Sequence, residues 1–249
     1  MSINSMPKRK EQFVNGEVYH LIIRALDDNL IFKDEKDYFR GIFSIYEFNN
    51  QKPVNISIRR RNRVVEKKRE KPIDIGSRST AEDKRDKFVN ILAFCFMPNH
   101  MHLLVRQAKD NGISKFMQKV GIGLGKYFNK KYRRKGHVFQ DAFKSIHIDN
   151  DNQLIAVLNY IHTNPTSLVE PGFKQSGVRN FEKVIKFLEE EFRWSSLFDY
   201  IGIENFKSVT ERNFVLELLG DTEGYQKLLR EWVLYKKVSQ KNKDLFLED

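Results

Sequence analysis

The chain predicts an α+β fold built around one antiparallel sheet. Three observations carry the prediction. Apolar runs of strand length alternate with segments of helical periodicity in the order strand, helix, strand, strand, helix, strand, helix. The two middle strands are separated only by Pro98 and Asn99, too short a link for anything but a hairpin. After about residue 205 the apolar spacing is helical alone.

Each element follows in order. Residues 17–24, EVYHLIIR, read as a buried strand, and residues 34–49, DEKDYFRGIFSIYEFN, as a helix with apolar and aromatic positions at helical spacing. From Asn50 to about Lys87 the composition shifts to a charged stretch poor in aromatics, with basic clusters at Arg59–Arg61 and Lys67–Arg69; it reads as an insertion, a loose basic hairpin or a partly disordered loop. FVNILAFCFM (88–97) and HMHLLVRQ (100–107) are the hairpin strands. Residues 112–132 form a helix with a small-residue face of Gly121 and Gly125. A basic loop and the strand 143–149, FKSIHID, come next. Asp149 or Asn150 can cap the following helix, which stops before Pro165. The sum is a ferredoxin-like, split β-α-β pattern: an antiparallel sheet with helices on one face. The C-terminal region carries amphipathic helices near 178–191 and 209–236, the latter in a C-terminal helical extension.

Bulk composition narrows the partners. The 249 residues suffice for one decorated domain or two small ones, and 40% apolar content with 20 Phe is enough for a true core. A net charge of +11 favours a polyanionic partner, because Lys and Arg release counterions from phosphates. Cys95 is the one cysteine, which excludes an intramolecular disulfide and a cysteine zinc site; a small buried residue and a reducing cytoplasmic setting are expected. The N-terminus has no apolar signal core, and no run is long enough to span a membrane.

His100 and His102 flank Met101 in a strand, so both imidazoles point to one face about 6.6 Å apart along it. Such a pair can converge on a metal ion; two ordinary surface histidines are the plain alternative. Tyr160 and Asn164 stand at i and i+4 of a helix and share its face. The phenol can act as a nucleophile and the amide oxygen as a ligand for a hard cation. Equally, Tyr160 can pack on the core and Asn164 can end the helix. The end of the 112–132 helix and the loop after it mix Lys130, Lys131, Arg133, Arg134 and Lys135 with Tyr127, Phe128 and Tyr132, which suits backbone contacts and base stacking on a single strand; for Phe128 the core is preferred. GIGLGK (121–126) fails as a phosphate loop, since it lies inside a helix and Tyr127 follows its lysine. His20 and His137 suit a proton-transfer, phosphate or structural role, while His147 and His162 carry no assignment. Trp194-Ser195-Ser196 lacks a catalytic context and reads as structural.

Taken together, YHLIIR (19–24), MPNHMHLLV (97–105), YFNKKYRRKGHVFQ (127–140), FKS (143–145), NYIHTNP (159–165) and RWSSLFDY (193–200) resemble the HUH nucleases, specifically the single-tyrosine transposases of insertion sequences and the REP-associated tyrosine transposases. The resemblance implies a metal-dependent single-strand DNA endonuclease and strand-transferase. Tyr160 would be the nucleophile, forming a 5′-phosphotyrosine. His100, His102 and Asn164 would hold Mg²⁺ or Mn²⁺. Arg24, Lys130, Lys131, Arg133, Arg134, Lys135, His137, Gln140 and Lys144 would contact single-stranded or hairpin DNA. Residues 1–205 would form the HUH domain, with the insertion at about 50–87, and 206–249 the extension. A cytoplasmic, nucleoid-associated protein is implied, as monomer or homodimer. Two positions depart from the pattern: Ile23-Arg24-Ala25 stands where the family shows Asn-Arg-Gly, and Asp141-Ala142 stands where Gly-Arg often follows. The missing arginine bears on DNA affinity. Two rival readings are a catalytically silent hairpin-binding relative and an RNA-binding module of the same topology, whose aromatic signature on the central strands is absent.

Overall fold

The computed structural model describes residues 12–54, 83, 85–140 and 142–235. The basic clusters of the insertion and Asp141 lie outside these residues. Four strands, β1 (Val18–Arg24), β2 (Val89–Met97), β3 (His100–Gln107) and β4 (Lys144–Ile148), form one sheet in the order β2-β3-β1-β4 with every pairing antiparallel. This is the strand order of the split β-α-β pattern, so the α+β class read from the sequence holds.

The hairpin turn is tight: Met97 pairs with His100 across it. Its exposed carbonyls are used. The Pro98 carbonyl accepts from the amides of Ile31 and Phe32, at 2.8 and 3.0 Å, and the Asn99 carbonyl accepts from Ala25 at 2.8 Å. Sequence-distant chain therefore pins the loop that introduces His100.

Strand alternation divides the sheet into two faces. Leu21 and Ile23 of β1, Met101, Leu103 and Val105 of β3, and Phe94 and Phe96 of β2 face helices α1 (Glu35–Glu47) and α2 (Gly112–Lys131). Asp34 starts α1 with a capping box, its carboxylate accepting from Asp37 N at 3.1 Å. The two helices approach at Gly123, where a Cβ would stand 2.0 Å from the Phe48 ring. The close-packing glycine of α2 is thus Gly123. A Cβ on Gly121 or Gly125, the expected small face, would meet only ordinary contacts at 3.7 and 4.0 Å.

The second face, which the split pattern leaves open, is covered too. Helix α3 (Asp151–Thr163), capped by Asn150, packs there together with the C-terminal helices, so the helices occupy both faces rather than the one expected, with α1 and α2 together on the first. Short helices α4 (Thr166–Val169) and α5 (Phe173–Ser176) lead to α6 (Phe181–Lys186), which continues as one π-helical turn through Glu191. Then α7 (Leu197–Tyr200), α8 (Asn213–Leu219) and α9 (Thr222–Tyr235) complete the chain that is described. Gly220, at φ 94°, breaks the expected helical stretch 209–236 into two. Val215, Tyr225, Leu229 and Val233 join Leu154, Val157, Leu158 and Ile161 of α3 in one apolar cluster. The segment Trp194–Ser196 runs along the free edge of β2, with Phe96 N donating to the Trp194 carbonyl at 2.9 Å and Ser196 N to the Phe94 carbonyl at 3.0 Å. Trp194-Ser195-Ser196 is therefore an edge cover, as its lack of catalytic context predicts.

Candidate active site

The face shared by β1, β3 and α3 collects the residues with chemistry. His100 and His102 alternate with Met101, which points into the α1/α2 core and is fully buried. The two imidazole Nε2 atoms lie 3.1 Å apart, and the Nδ2 of Asn164 lies 3.2 Å from His102 Nε2. Tyr160, one turn before Asn164, sets its ring edge-on to His102 with centroids 5.5 Å apart. His100, His102, Tyr160 and Asn164 stand together, and all are 8% exposed or less.

His20 is the residue the sequence left open. Its partner in the sheet is Leu104, and its Nε2 lies 3.0 Å from His102 Nδ1, so the second nitrogen of His102 is engaged and its ring orientation set. On the other side, His100 Nδ1 lies 2.6 Å from Asn99 Oδ1. Burial, with the cations Arg24 and Lys174 nearby, pushes His100 down to about 3. Burial first, and then the neighbouring imidazoles, holds His102 well below the ordinary histidine value. Both rings are therefore neutral across the physiological range, with lone pairs available.

This donor set fits a divalent cation. The His100 imidazole and the Asn164 carboxamide each come within 3.2 Å of His102 Nε2, and an amide presents either oxygen or nitrogen by a half-turn. No group of three His, Cys, Asp or Glu among the described residues is arranged to hold a metal.

Lys174 was not found by sequence reading. It lies on α5, ten residues past Asn164, and its Nζ sits 5.6 Å from the centroid of the Tyr160 ring. Burial and the charge of Arg24 push its ammonium down to about 8. A lone lysine in a polar stretch gives no periodicity or motif that marks it; only the return of the chain over Tyr160 does.

The expected DNA-contact residues separate into groups. Arg24 ends β1 opposite His100, 3.5 Å from Asp28, and Lys144 pairs across β1 with Ile22, so both sit on the site face. Gln140 donates its backbone N–H to the Arg24 carbonyl at 3.0 Å, which brings the GHVFQ segment to the same end of the sheet. Lys130, Arg133, Arg134, Lys135 and His137 are exposed at the end of α2 and in its loop, and Asn129 closes that loop by donating to the Gly136 carbonyl at 2.8 Å. Lys131 is different: its ammonium bonds Asp34 and Asp37 at 2.7 and 2.6 Å. Those carboxylates satisfy its charge, so it is a tie between α2 and α1 rather than a phosphate contact. Tyr127 and Tyr132, expected to stack on bases, donate their hydroxyls to Asp37 at 3.0 and 2.6 Å, and Phe128 is in the core.

His162, though on α3 near Tyr160, belongs to the packing. Its Nδ1 lies 2.7 Å from the Tyr225 hydroxyl and its Nε2 2.8 Å from Ser196 Oγ. Cys95 is fully buried beside His102 on the neighbouring strand and is pushed far above the ordinary thiol range by burial, so it is inert.

The fold is thus an α+β sheet that carries an imidazole pair on a central strand, faced by a tyrosine and an asparagine from a packed helix. Residues 49–164, which hold all four of these site residues, match the family model described as "Transposase IS200 like". Over that segment, a little under half of its length, the chain is similar to the IS200-like transposases. Among solved structures, a REP-associated tyrosine transposase bound to a REP hairpin is similar at 16% identity with a TM-score of 0.45, over 81% of this chain and 90% of that one. No curated protein sequence matches the chain. No helix among the described residues is long and apolar enough to cross a membrane.

Proposed function

We propose that this protein nicks and rejoins single-stranded DNA, with Tyr160 as the attacking group. The observation that carries the reading is the meeting of Tyr160 with the neutral imidazole pair: the ring of the tyrosine lies 5.5 Å from that of His102. His100, His102 and Asn164 would hold Mg²⁺ or Mn²⁺, which would supply charge stabilisation at the scissile phosphate. His20 and Asn99 orient the imidazole rings from behind. Lys174 and Arg24 would contribute positive charge toward an anionic phosphodiester, and the Lys174 ammonium lies 5.6 Å from the centroid of the Tyr160 ring. In the transfer, the Tyr160 oxygen bonds to phosphorus as the bond from phosphorus to the 3′ oxygen breaks, leaving a 5′-phosphotyrosine and a free 3′-OH. The ester bond is kept in the protein–DNA linkage, so a second 3′-OH can displace the tyrosine without a nucleotide cofactor.

Hairpin-forming DNA is the proposed substrate, with contacts from Arg24, Lys144, Gln140 and the exposed cations from Lys130 to His137. The test is a labelled hairpin oligonucleotide incubated with Mn²⁺ and separated under denaturing conditions. A covalent adduct that disappears in Tyr160→Phe and in His102→Ala is expected. Binding without an adduct in the unaltered protein would favour a silent hairpin-binding relative instead.

A further inference from the structure

A cleft of about 570 Å³ lies between α1 and α2, on the face of the sheet opposite Tyr160. Of its ten lining residues four are cationic, Arg40, Lys119, Lys126 and Lys130, and none is acidic. The three lysines come from one stripe of α2, spaced at seven and four residues, roughly 10 Å and 6 Å along the axis. The floor is largely apolar. The Phe48 ring packs against Gly123, and the Arg40 guanidinium lies 5.7 and 5.3 Å from the Phe48 and Tyr127 rings while reaching the Gly123 carbonyl at 3.4 Å. The Lys119 ammonium is fixed on the Asn50 carbonyl. Lys126 and Lys130 are exposed and make no ion pair among the described residues. Their neighbour Lys131, turned about 100° around the helix, spends its charge on Asp34 and Asp37. Lys126 ends the GIGLGK segment that failed as a phosphate loop; its helix interior position puts the ammonium on this cleft instead.

We infer that the α1/α2 cleft is a second binding surface for single-stranded nucleic acid, holding chain that flanks the cleaved site. The inference rests on the nucleic-acid reading given above and adds to it a surface on the far side of the sheet from the cleaved bond, which shares only Lys130 with the proposed hairpin contacts. Charge complementarity selects the occupant: a row of ammonium groups over an apolar, guanidinium-floored trough matches a strand that presents phosphates on one side and base faces on the other. Because the sheet separates the cleft from Tyr160, one strand reaches both only by passing around the edge of the domain. Long strands should therefore use the cleft and short ones spanning only the cleavage site should not.

The test uses the full-length protein and fluorescein-labelled oligothymidylates, one of about ten and one of about forty nucleotides, titrated by anisotropy across a salt series. Lys126→Gln is expected to weaken the long strand several-fold and to reduce the slope of log K against log salt by about 0.7, the value for one phosphate contact on a single strand. Lys126→Glu should weaken it further. The short strand and the adduct yield on a minimal hairpin should be unchanged in both. Equal affinity and an equal slope for the long strand in the unaltered protein and both variants would overturn the inference, as would an equal loss for short and long strands. The same comparison in a Tyr160→Phe background separates the two readings: the cleft effect persists there even if no adduct ever forms.

Discussion

Histidine shows most directly how environment sets a residue's work in this chain. His20, His102 and His100 form a chain of ring contacts at 3.0 and 3.1 Å on one sheet face, whereas His147 sits between Glu17 and Asp149 at 2.8 and 2.7 Å, and those carboxylates raise its value above the ordinary range. His162 is held between two hydroxyls. Lys174 makes the same point for a cation: it is drawn over the Tyr160 ring at some cost in desolvation, which its lowered value records. If that charge assists the phosphate, Lys174→Gln should lower the rate of adduct formation about tenfold or more, in the range removed with a single electrostatic group. Lys174→Arg should restore most of it, and the thermal midpoint should barely move in either. Rates equal to the unaltered protein in Lys174→Gln would show the lysine to be cover alone.

At the level of elements, the packing of α1 on α2 turns on one position. Gly123 faces the Phe48 ring with no room for a methyl group, a Cβ there falling 2.0 Å from the nearest ring carbon. Gly123→Ala forces the ring to move and should cost about 1–3 kcal/mol in urea unfolding, with the denaturant slope unchanged. Gly121→Ala, whose Cβ would come no nearer than 3.7 Å to a neighbour, should be neutral or stabilising by about 0.5–1 kcal/mol from helix propensity. An equal response at both positions would remove the packing argument. Element positions were largely legible beforehand. Strands and helices up to Thr163 fall within one or two residues of the expected ranges, since periodicity and capping residues such as Asp34 and Asn150 act locally, whereas the C-terminal helices begin three or four residues late. The break at Gly220 and the π-helical turn after Lys186 were not legible, because the helical pattern continues through both.

Across the whole molecule, stability should depend on acid. His162 is fully buried, with burial pushing it down to about 3, against an ordinary value near 6.5 in the unfolded chain. As pH falls below that ordinary value the unfolded chain takes up a proton that the folded one refuses. The stabilisation is therefore complete above about pH 6.5 and drains away toward pH 3. Between about pH 7 and pH 5 this residue alone should remove about 2 kcal/mol of unfolding free energy, with His100 and His102 acting in the same direction. Chemical denaturation at the two pH values checks it. His162→Gln should be less stable near pH 7, through loss of the link between α3, Tyr225 and Ser196, and should show a shallower fall toward pH 5. An unchanged fall would place the acid sensitivity elsewhere.

What the sequence settled by itself was local: the hairpin around Pro98-Asn99, the common face of His100 and His102, and the common face of Tyr160 and Asn164. Two-residue and four-residue repeats dictate direction regardless of the rest of the chain. What only the tertiary structure decided was convergence between distant segments. His20 behind His102, Lys174 over Tyr160, Lys131 with Tyr127 and Tyr132 on Asp37, and Phe48 against Gly123 each join residues tens of positions apart or on separate elements. Such meetings depend on how the layers stack, and periodicity within one segment carries no record of its neighbour's face.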